Sequence, residues 1–288
     1  MKVFVTGAGG QLGHDVINEL RKRGHEAVGS DLAAGEVTLD ITDAAAVRAA
    51  LQREKPEAVI HCAAWTAVDL AEDNEEKVRA INAGGTKNIA DVCKDLGCKL
   101  LYISTDYVFD GQGDTPWKPD CKEYKPLNVY GQTKLEGELA VANTLEKYFI
   151  VRIAWVFGKN GSNFIKTMLD IGKKYDKLRV VCDQVGTPTY TVDLARLLAD
   201  MVETEKYGYY HATNEGGFIS WYAFAVEIFR QAGYATEVIP VTTEQYGLSK
   251  AARPVNSRLD KSKLAEAGFA LLPPWQDALK RYLKEIEV

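Results

Sequence analysis

The sequence predicts an α/β fold in which a parallel β-sheet is covered by helices on both faces. In the first half of the chain, short runs rich in β-branched residues alternate with longer amphipathic stretches, a rhythm typical of repeated strand–helix–strand units. The runs at 58–62 and 100–104 are almost continuously apolar, as expected for strands buried on both faces. A glycine-rich turn follows the first run directly. Together these observations indicate a doubly wound parallel sheet.

The same periodicity places the elements along the chain. Strands are predicted at 2–6, 26–30, 58–62, 99–104, 148–154 and 178–182, and helices from residue 11 onwards, at 129–146 and at 163–174. The segment 110–127 is rich in Gly, Pro, Asp and Lys and is too long for a simple turn. We therefore expect it to be a lid or a substrate loop.

The composition excludes several classes of function. Of 288 residues, 46% are hydrophobic and 26% are charged, so the whole chain is expected to fold. The formal net charge of −5 provides no field for broad contact with nucleic acid or with an anionic membrane. The chain begins with a strand pattern and shows neither a charged leader nor a long apolar stretch, which predicts a cytoplasmic protein.

The cysteines and histidines give no sign of a metal site. The five cysteines are scattered without a CxxC pair, and the four histidines are equally dispersed. We expect reduced thiols, no disulfide, no bound metal and structural histidines.

The turn after the first strand has the properties of a dinucleotide site. Its sequence, GAGGQLG at 7–13, leads straight into a helix. Glycines permit a tight turn and a close approach of backbone N–H groups to a pyrophosphate, which the helix N-terminus also favours. An ordinary glycine-rich turn is the alternative. The candidate contacts here are Gly7, Gly10, Gln11 and Leu12.

Three further positions at strand ends are candidate cofactor contacts. Asp31 ends the second strand, where a carboxylate accepts hydrogen bonds from ribose hydroxyls and repels a 2′-phosphate, so NADH is favoured, with NADPH possible. Asp40 and Ile41 follow the third strand and are placed to hold the adenine, although Asp40 also suits a turn. The small residues after the fourth strand let a cofactor lie against the sheet edge. They are Ala63, Ala64, Trp65 and Thr66.

A phenol and an ammonium stand four residues apart in the helix predicted at 129–146. Tyr130 and Lys134 therefore share one helix face. We expect the cation to lower the pKa of the phenol and make Tyr130 a proton donor, while Lys134 holds a ribose. Thr105, at the end of the fifth strand, is placed to bind the carbonyl being reduced. A surface pair and a strand-end cap are the alternatives for these motifs.

Several long strings resemble the extended short-chain dehydrogenase/reductase superfamily and, within it, the dTDP-4-dehydrorhamnose reductase family. The strings are AAWTAVDLAE at 63–72, STDYVFDG at 104–111 and PLNVYGQTKLEGE at 126–138, with further matches at 152–158, 183–189 and 253–257. The resemblance covers nearly the whole chain. It implies a Rossmann-type sheet at 1–160, a smaller C-terminal substrate lobe at 161–288 interleaved with it, and hydride transfer from NAD(P)H to a 4-keto sugar nucleotide.

The resemblance also implies roles for individual residues. Tyr130, Lys134 and Thr105 would form the catalytic set, and Thr105, Asp106, Tyr130 and Trp155 would touch a dTDP-sugar. Asn163, Arg253 and Asn256 are further candidates for substrate contacts, since an arginine suits phosphates.

Two alternatives remain open at this point. Related dehydratases carry an Asp-Glu pair after the strand-end Thr, whereas Asp106 is followed here by Tyr107. A sugar epimerase uses the same Tyr, Lys and hydroxyl set, and a non-catalytic NAD(P)-binding regulatory subunit resembles the same family. We expect a monomer or a weak homodimer.

Overall fold

The structure, a computed structural model, describes residues 1–288. The strands are β1 Lys2–Thr6, β2 Glu26–Asp31, β3 Val37–Thr38, β4 Ala58–His61, β5 Lys99–Thr105, β6 Tyr148–Ile153, β7 Val156–Phe157, β8 Lys177–Val181, β9 Val185–Gly186, β10 Thr189–Tyr190, β11 Gly208–His211, β12 Asn214–Glu215, β13 Ile219–Ser220, β14 Glu237–Val241 and β15 Leu272–Pro274. The α-helices are α1 Gln11–Lys22, α2 Ala44–Glu54, α3 Val68–Ala71, α4 Glu75–Arg79, α5 Thr86–Leu96, α6 Val129–Thr144, α7 Phe164–Gly172, α8 Thr191–Val202, α9 Trp221–Ala232, α10 Thr243–Tyr246, α11 Ser262–Glu266 and α12 Trp275–Glu285. A π-helical segment at Ala80–Gly85 and a 3₁₀ turn at Asp106–Val108 complete the set.

Seven strands form the central sheet, in the order β11-β6-β5-β4-β1-β2-β3, and all neighbouring pairs are parallel. From β1 the chain moves outwards to β2 and β3, then crosses back to β4 and continues in the opposite direction. This reversal between β1 and β4 opens a crevice at the carboxyl ends of the strands, where open α/β sheets bind ligands. The predicted doubly wound parallel sheet is confirmed.

Alternate residues of the strands supply two separate cores. Val3 and Val5 of β1 pack with α1 and α8 on one face of the sheet. Phe4, between them, belongs to the core formed with α2 and α5 on the other face. Because both faces are buried, the central strands contain few polar side chains, which is why they were recognisable as apolar runs.

The predicted elements of the first half match the observed ones closely. The helix expected at 129–146 is α6, which ends at Thr144, and the helix expected at 163–174 is α7. Asn128 caps α6, since its side chain accepts a hydrogen bond from Gly131 N at 2.8 Å. Segment 110–127 contains no helix or strand, apart from a single bridge between Trp117 and Leu259.

The second half of the chain contributes to both parts of the fold. Helix α8 packs against α1, and β11 pairs with β6 at the edge of the central sheet. The remaining elements form small two-stranded sheets around a third core with α7, α9 and α12. The division into 1–160 and 161–288 stays a prediction. Membership of the central sheet would assign α8 and β11 to its first part.

None of the helices combines the length and apolar character that a bilayer crossing requires. The five cysteines are free thiols. No group of three or more His, Cys, Asp and Glu side chains is arranged to hold a metal ion.

Helix α6 lies unusually close to β5. A Cβ atom built on Gly137 would stand 2.3 Å from the Tyr102 hydroxyl and 2.9 Å from the Asn82 carbonyl oxygen. The Tyr102 hydroxyl donates to the Lys134 carbonyl oxygen at 3.2 Å. Only glycine at 137 allows the helix to rest on the strand at this distance.

We expect Gly137→Ala to lower the free energy of unfolding by about 1–3 kcal/mol, because the added methyl group has no space. Gly84→Ala is the matched control, since the nearest atom to its Cβ would be 3.9 Å away. The measurement is the urea midpoint of both variants. Equal effects at the two positions would contradict the close approach.

Candidate active site

A cavity of about 1040 Å³ lies at the carboxyl ends of the central strands. Residues that end or directly follow β1, β2, β4, β5 and β6 line it. Nearly all of the predicted site residues are in its wall: Gly7, Gly10, Gln11, Leu12, Asp31, Asp40, Ile41, Ala63, Ala64, Trp65, Thr66, Thr105, Asp106, Tyr130, Lys134 and Trp155. Asn163 and Arg253 are not.

The glycine turn fits a dinucleotide. Gly7 has a φ of +70°, and a Cβ there would lie 2.8 Å from Ala63 N, so the two strand-end loops touch through backbone alone. A Cβ on Gly13 would lie 2.1 Å from the Gly7 carbonyl oxygen. Gly10 precedes α1 and provides no side-chain cap, so the first N–H groups of the helix have no side-chain partner. Such a bare helix N-terminus suits a pyrophosphate.

The two predicted acidic contacts already have backbone partners. Asp31 accepts a hydrogen bond from Gly9 N at 3.1 Å, which holds its carboxylate beside the glycine turn. Asp40 accepts from the Thr42 backbone N and hydroxyl at 2.9 and 2.7 Å, and these bonds lower its pKa. Asp40 therefore has the turn role that was the alternative for it, although it also lines the cavity.

The loop after β4 is fixed by Asn82. The Asn82 side chain accepts from Trp65 N at 2.8 Å and donates to the Trp65 carbonyl oxygen at 3.2 Å. Its amide also donates to the Thr133 hydroxyl on α6 at 3.1 Å. The predicted cofactor loop and the helix with Tyr130 are thus linked through one buried amide.

Lys134 is a buried cation at the base of the cavity. Its ammonium donates to the Ile103 carbonyl oxygen at 2.7 Å and lies 4.1 Å from the centroid of the Tyr102 ring. Burial is the largest influence on this amine and lowers its pKa to about 7. The lysine is therefore close to losing its charge at neutral pH.

Tyr130 does not have the predicted lowered pKa. Removal of water around the hydroxyl raises the pKa of Tyr130 well above its usual value, and a hydrogen bond with Thr105 only partly opposes this. The expectation that Lys134 lowers the pKa of this phenol was wrong, because desolvation outweighs the nearby charge. A phenol with a raised pKa keeps its proton at neutral pH and is in the form that a proton donor requires.

Thr105 and Asp106 form a buried polar pair beside Tyr130. The Thr105 hydroxyl donates to Asp106 Oδ1 at 3.0 Å. Burial raises the pKa of Asp106 to about 6. The second carboxyl oxygen of Asp106 has no hydrogen-bond partner, although it is buried and its residue lines the cavity. This oxygen is available to a bound hydroxyl group.

Trp155 lies at the other end of the cavity in a strained conformation. Its φ of +51° is rare for a residue with a side chain, and it follows β6 directly. The ring stacks on Trp221 with the centroids 3.7 Å apart. Trp221, Phe164 and Phe224 also line the cavity, and the sequence did not predict them. No local pattern distinguishes these aromatic residues from ordinary core residues.

Asn163 was predicted to contact substrate, and the structure assigns it a different task. Its side-chain oxygen accepts from Lys166 N at 3.1 Å and so caps α7. Its amide donates to the Gln11 side chain at 3.0 Å and to the Tyr282 hydroxyl at 2.9 Å. With both ends of the amide in use, Asn163 connects α1, α7 and α12, outside the wall of the cavity.

Arg253 and Asn256 are likewise bound to the protein itself. Arg253 forms an ion pair with Asp69 at 2.6 Å and contacts the Tyr107 hydroxyl at 3.3 Å. The Asn256 amide donates to the carbonyl oxygens of Gln112 and Thr115 at 3.1 and 2.9 Å. The prediction that these two side chains contact substrate is not supported by their geometry.

Segment 110–127 also differs from expectation. It supplies no residue to the wall of the cavity. The Trp117 ring stacks on Phe109 with centroids 4.6 Å apart, and Trp117 N donates to the Arg258 carbonyl oxygen at 2.9 Å. The segment is therefore anchored to the body of the protein, and the interpretation as a lid was wrong.

The fold and the cavity together define a Rossmann-type protein with the Tyr, Lys and hydroxyl set of the extended short-chain dehydrogenases and reductases. Over residues 1–288 the chain matches the family described as the RmlD substrate binding domain. The chain belongs to this family.

The similar proteins are reductases by name. A dTDP-4-dehydrorhamnose reductase of Streptomyces griseus is 42% identical, over 96% of this chain and 91% of that protein. A crystal structure of a dTDP-4-dehydrorhamnose reductase from Clostridium acetobutylicum is 43% identical, with a TM-score of 0.95 and complete coverage of both chains. The same enzyme from Bacillus anthracis, in complex with NADP, is 40% identical with a TM-score of 0.93 and 99% coverage of each chain.

We expect Asn163→Ala to lower the free energy of unfolding by about 1–3 kcal/mol, because the variant loses a helix cap and leaves buried partners unpaired. Asn18→Ala is the control, since Asn18 is exposed and bonds only to His14, on the same helix. Urea unfolding measures both. An unchanged midpoint for Asn163→Ala would contradict the structural role.

Proposed function

We propose that this chain is an NAD(P)H-dependent reductase that delivers hydride to the 4-keto group of dTDP-4-dehydro-L-rhamnose and forms dTDP-L-rhamnose. The observation that carries this proposal is the meeting of Tyr130, Lys134 and Thr105 in one cavity next to the glycine turn. The names of relatives that are 40–43% identical over almost the whole chain support the choice of substrate.

The cofactor is held at the β1–β4 crevice. The backbone of the glycine turn and the free N-terminus of α1 bind the pyrophosphate. Asp31 accepts hydrogen bonds from the adenosine ribose, and Ile41 borders the adenine side of the cavity. A carboxylate at 31 favours NADH over NADPH. The NADP in the Bacillus anthracis structure supports use of NADPH as well.

When bound, the reduced nicotinamide supplies the hydride, and the side chains of this protein supply everything else. Tyr130 donates a proton to the carbonyl oxygen of the sugar, since its raised pKa keeps it protonated. Thr105 donates a hydrogen bond to the same oxygen and orients it. Lys134 binds the nicotinamide ribose with its ammonium and stabilises the negative charge that develops on Tyr130.

The substrate lies between the polar pair and the aromatic cluster. Asp106 accepts a hydrogen bond from a sugar hydroxyl through its unpartnered oxygen. Trp155 presents a flat apolar surface, backed by Trp221, to the sugar or the thymine ring. A sugar epimerase would use the same catalytic groups, but the relatives above 40% identity are named as reductases.

Replacing Tyr130 with Phe removes the proton donor while keeping the ring. We expect kcat to fall by about two to four orders of magnitude, with the affinity for NADH changed less than about threefold. Substrate-dependent loss of NADH absorbance gives kcat, and fluorescence titration gives the affinity. Tyr175→Phe, at an exposed tyrosine, is the control. Wild-type turnover in Tyr130→Phe would rule out this assignment.

The pH dependence should report Lys134. Its pKa of about 7 means that the ammonium is present below this pH and is lost as the pH rises through it. We therefore expect kcat/KM to decline on the alkaline side from about pH 7, because a neutral amine no longer stabilises charge on Tyr130. The phenol itself does not contribute, since its pKa is raised. A kcat/KM that stays constant to pH 9 would contradict this role.

A further inference from the structure

A buried ion pair lies directly behind the catalytic helix. Glu138 of α6 accepts two hydrogen bonds from Arg152 of β6, at 2.8 Å from Nε and 2.7 Å from a terminal nitrogen. Both side chains are completely inaccessible to solvent. Neither residue lines the cavity, so the pair is outside the set of contacts described above.

Every N–H of the Arg152 guanidinium has a partner. Besides the bonds to Glu138, the group donates to the Pro119 carbonyl oxygen at 3.0 Å, to the Tyr124 hydroxyl at 3.1 Å and to His211 Nε2 at 3.3 Å. Since His211 Nδ1 lies 3.0 Å from the Trp117 carbonyl oxygen and donates to it, Nε2 is left free to accept.

Stability alone does not explain such a pair. Desolvating two charges costs several kcal/mol for each ion, and apolar residues of the same volume often stabilise a protein equally well. What the pair provides instead is a fixed negative charge at a defined place. The place is one helical turn beyond Lys134, because residues 130, 134 and 138 of α6 follow one another at intervals of four.

Among the groups that face Lys134, Glu138 is the anion. From β4 and the residue after it, His61 and Cys62 approach the ammonium, and burial keeps both neutral at pH 7, with the pKa of His61 lowered to about 3 and that of Cys62 raised to about 12. From β5, Tyr102 lies beneath the ammonium, and burial raises its pKa as well.

Two neighbours complete this environment. Tyr130, on the same helix, stays neutral because its pKa is raised, and Arg152 is a cation bound to the Glu138 carboxylate. The Glu138 carboxylate opposes the effect of burial on the pKa of Lys134. No other anion in this surrounding supports the charged form of the lysine.

We propose that Glu138, held in place by Arg152, is a positioning residue that fixes the seat and the positive charge of the Lys134 ammonium. This inference rests on the proposed function, because it concerns the lysine assigned to the reduction. The same guanidinium ties segment 110–127 to the sheet through Pro119, so helix, strand and segment are held by one group.

The test removes both charges together, in the double variant Glu138→Gln with Arg152→Gln, so that no unpaired charge remains buried. Without the carboxylate, the charged form of Lys134 is less stable, and its pKa falls. We expect a decrease of about 1 unit, which corresponds to an approximately tenfold lower kcat/KM on the alkaline limb. Near pH 6, kcat/KM should recover to within about threefold of the wild type.

A second readout needs no turnover. Competitive acetylation with acetic anhydride as a function of pH, followed by mass spectrometry of the peptide that contains Lys134, gives the titration midpoint of this amine in the full-length chain. The midpoint should move down by about 1 unit in the double variant. This measurement separates the inference from the proposed function, because it works whether or not the sugar is reduced.

The control is a second buried carboxylate–arginine pair. Asp193 of α8 is fully buried and binds Arg281 of α12 at 2.6 Å, with no contact to α6. Asp193→Asn with Arg281→Gln should lower thermal stability and leave both the Lys134 midpoint and the alkaline limb unchanged. A midpoint in the Glu138 and Arg152 variant equal to that of the wild type would overturn the inference. A shifted midpoint in a chain that reduces no sugar would overturn the proposed function instead.

Discussion

The structure depends on the seating of α6 directly on β5. Gly137 lets the helix approach the Tyr102 hydroxyl, and this approach brings the Lys134 ammonium within 2.7 Å of the Ile103 carbonyl oxygen. The position of Tyr130, one turn earlier, follows from the same contact. The cavity therefore has its polar groups at the place where the strand ends and the crevice opens.

Burial has opposite consequences for the two groups on this helix. It keeps Tyr130 protonated, which suits a proton donor, and it weakens the charge on Lys134, which must be a cation to assist that donor. A carboxylate beside the lysine resolves this conflict. Since an isolated buried carboxylate would be costly, Arg152 accompanies it and uses its remaining N–H groups to hold the surrounding chain.

The sequence predicted what local patterns encode. The glycine turn, the strand ends and the Tyr130–Lys134 spacing are short-range features, and they proved to be walls of one cavity. The failures concern contacts across long stretches of chain. Asn163 is bound to Gln11 and Arg253 to Asp69, pairings that no local pattern reveals. The direction of the Tyr130 pKa was wrong for a similar reason, since desolvation depends on the whole fold.

The most direct test of the account follows the hydride itself. The protein would be mixed with NADH or NADPH carrying deuterium at both C4 positions of the nicotinamide and with dTDP-4-dehydro-L-rhamnose. The account predicts one equivalent of cofactor oxidised per sugar and deuterium at C4 of dTDP-L-rhamnose, detected by mass spectrometry and NMR. Bound cofactor that is not oxidised, or a sugar product without deuterium at C4, would contradict it.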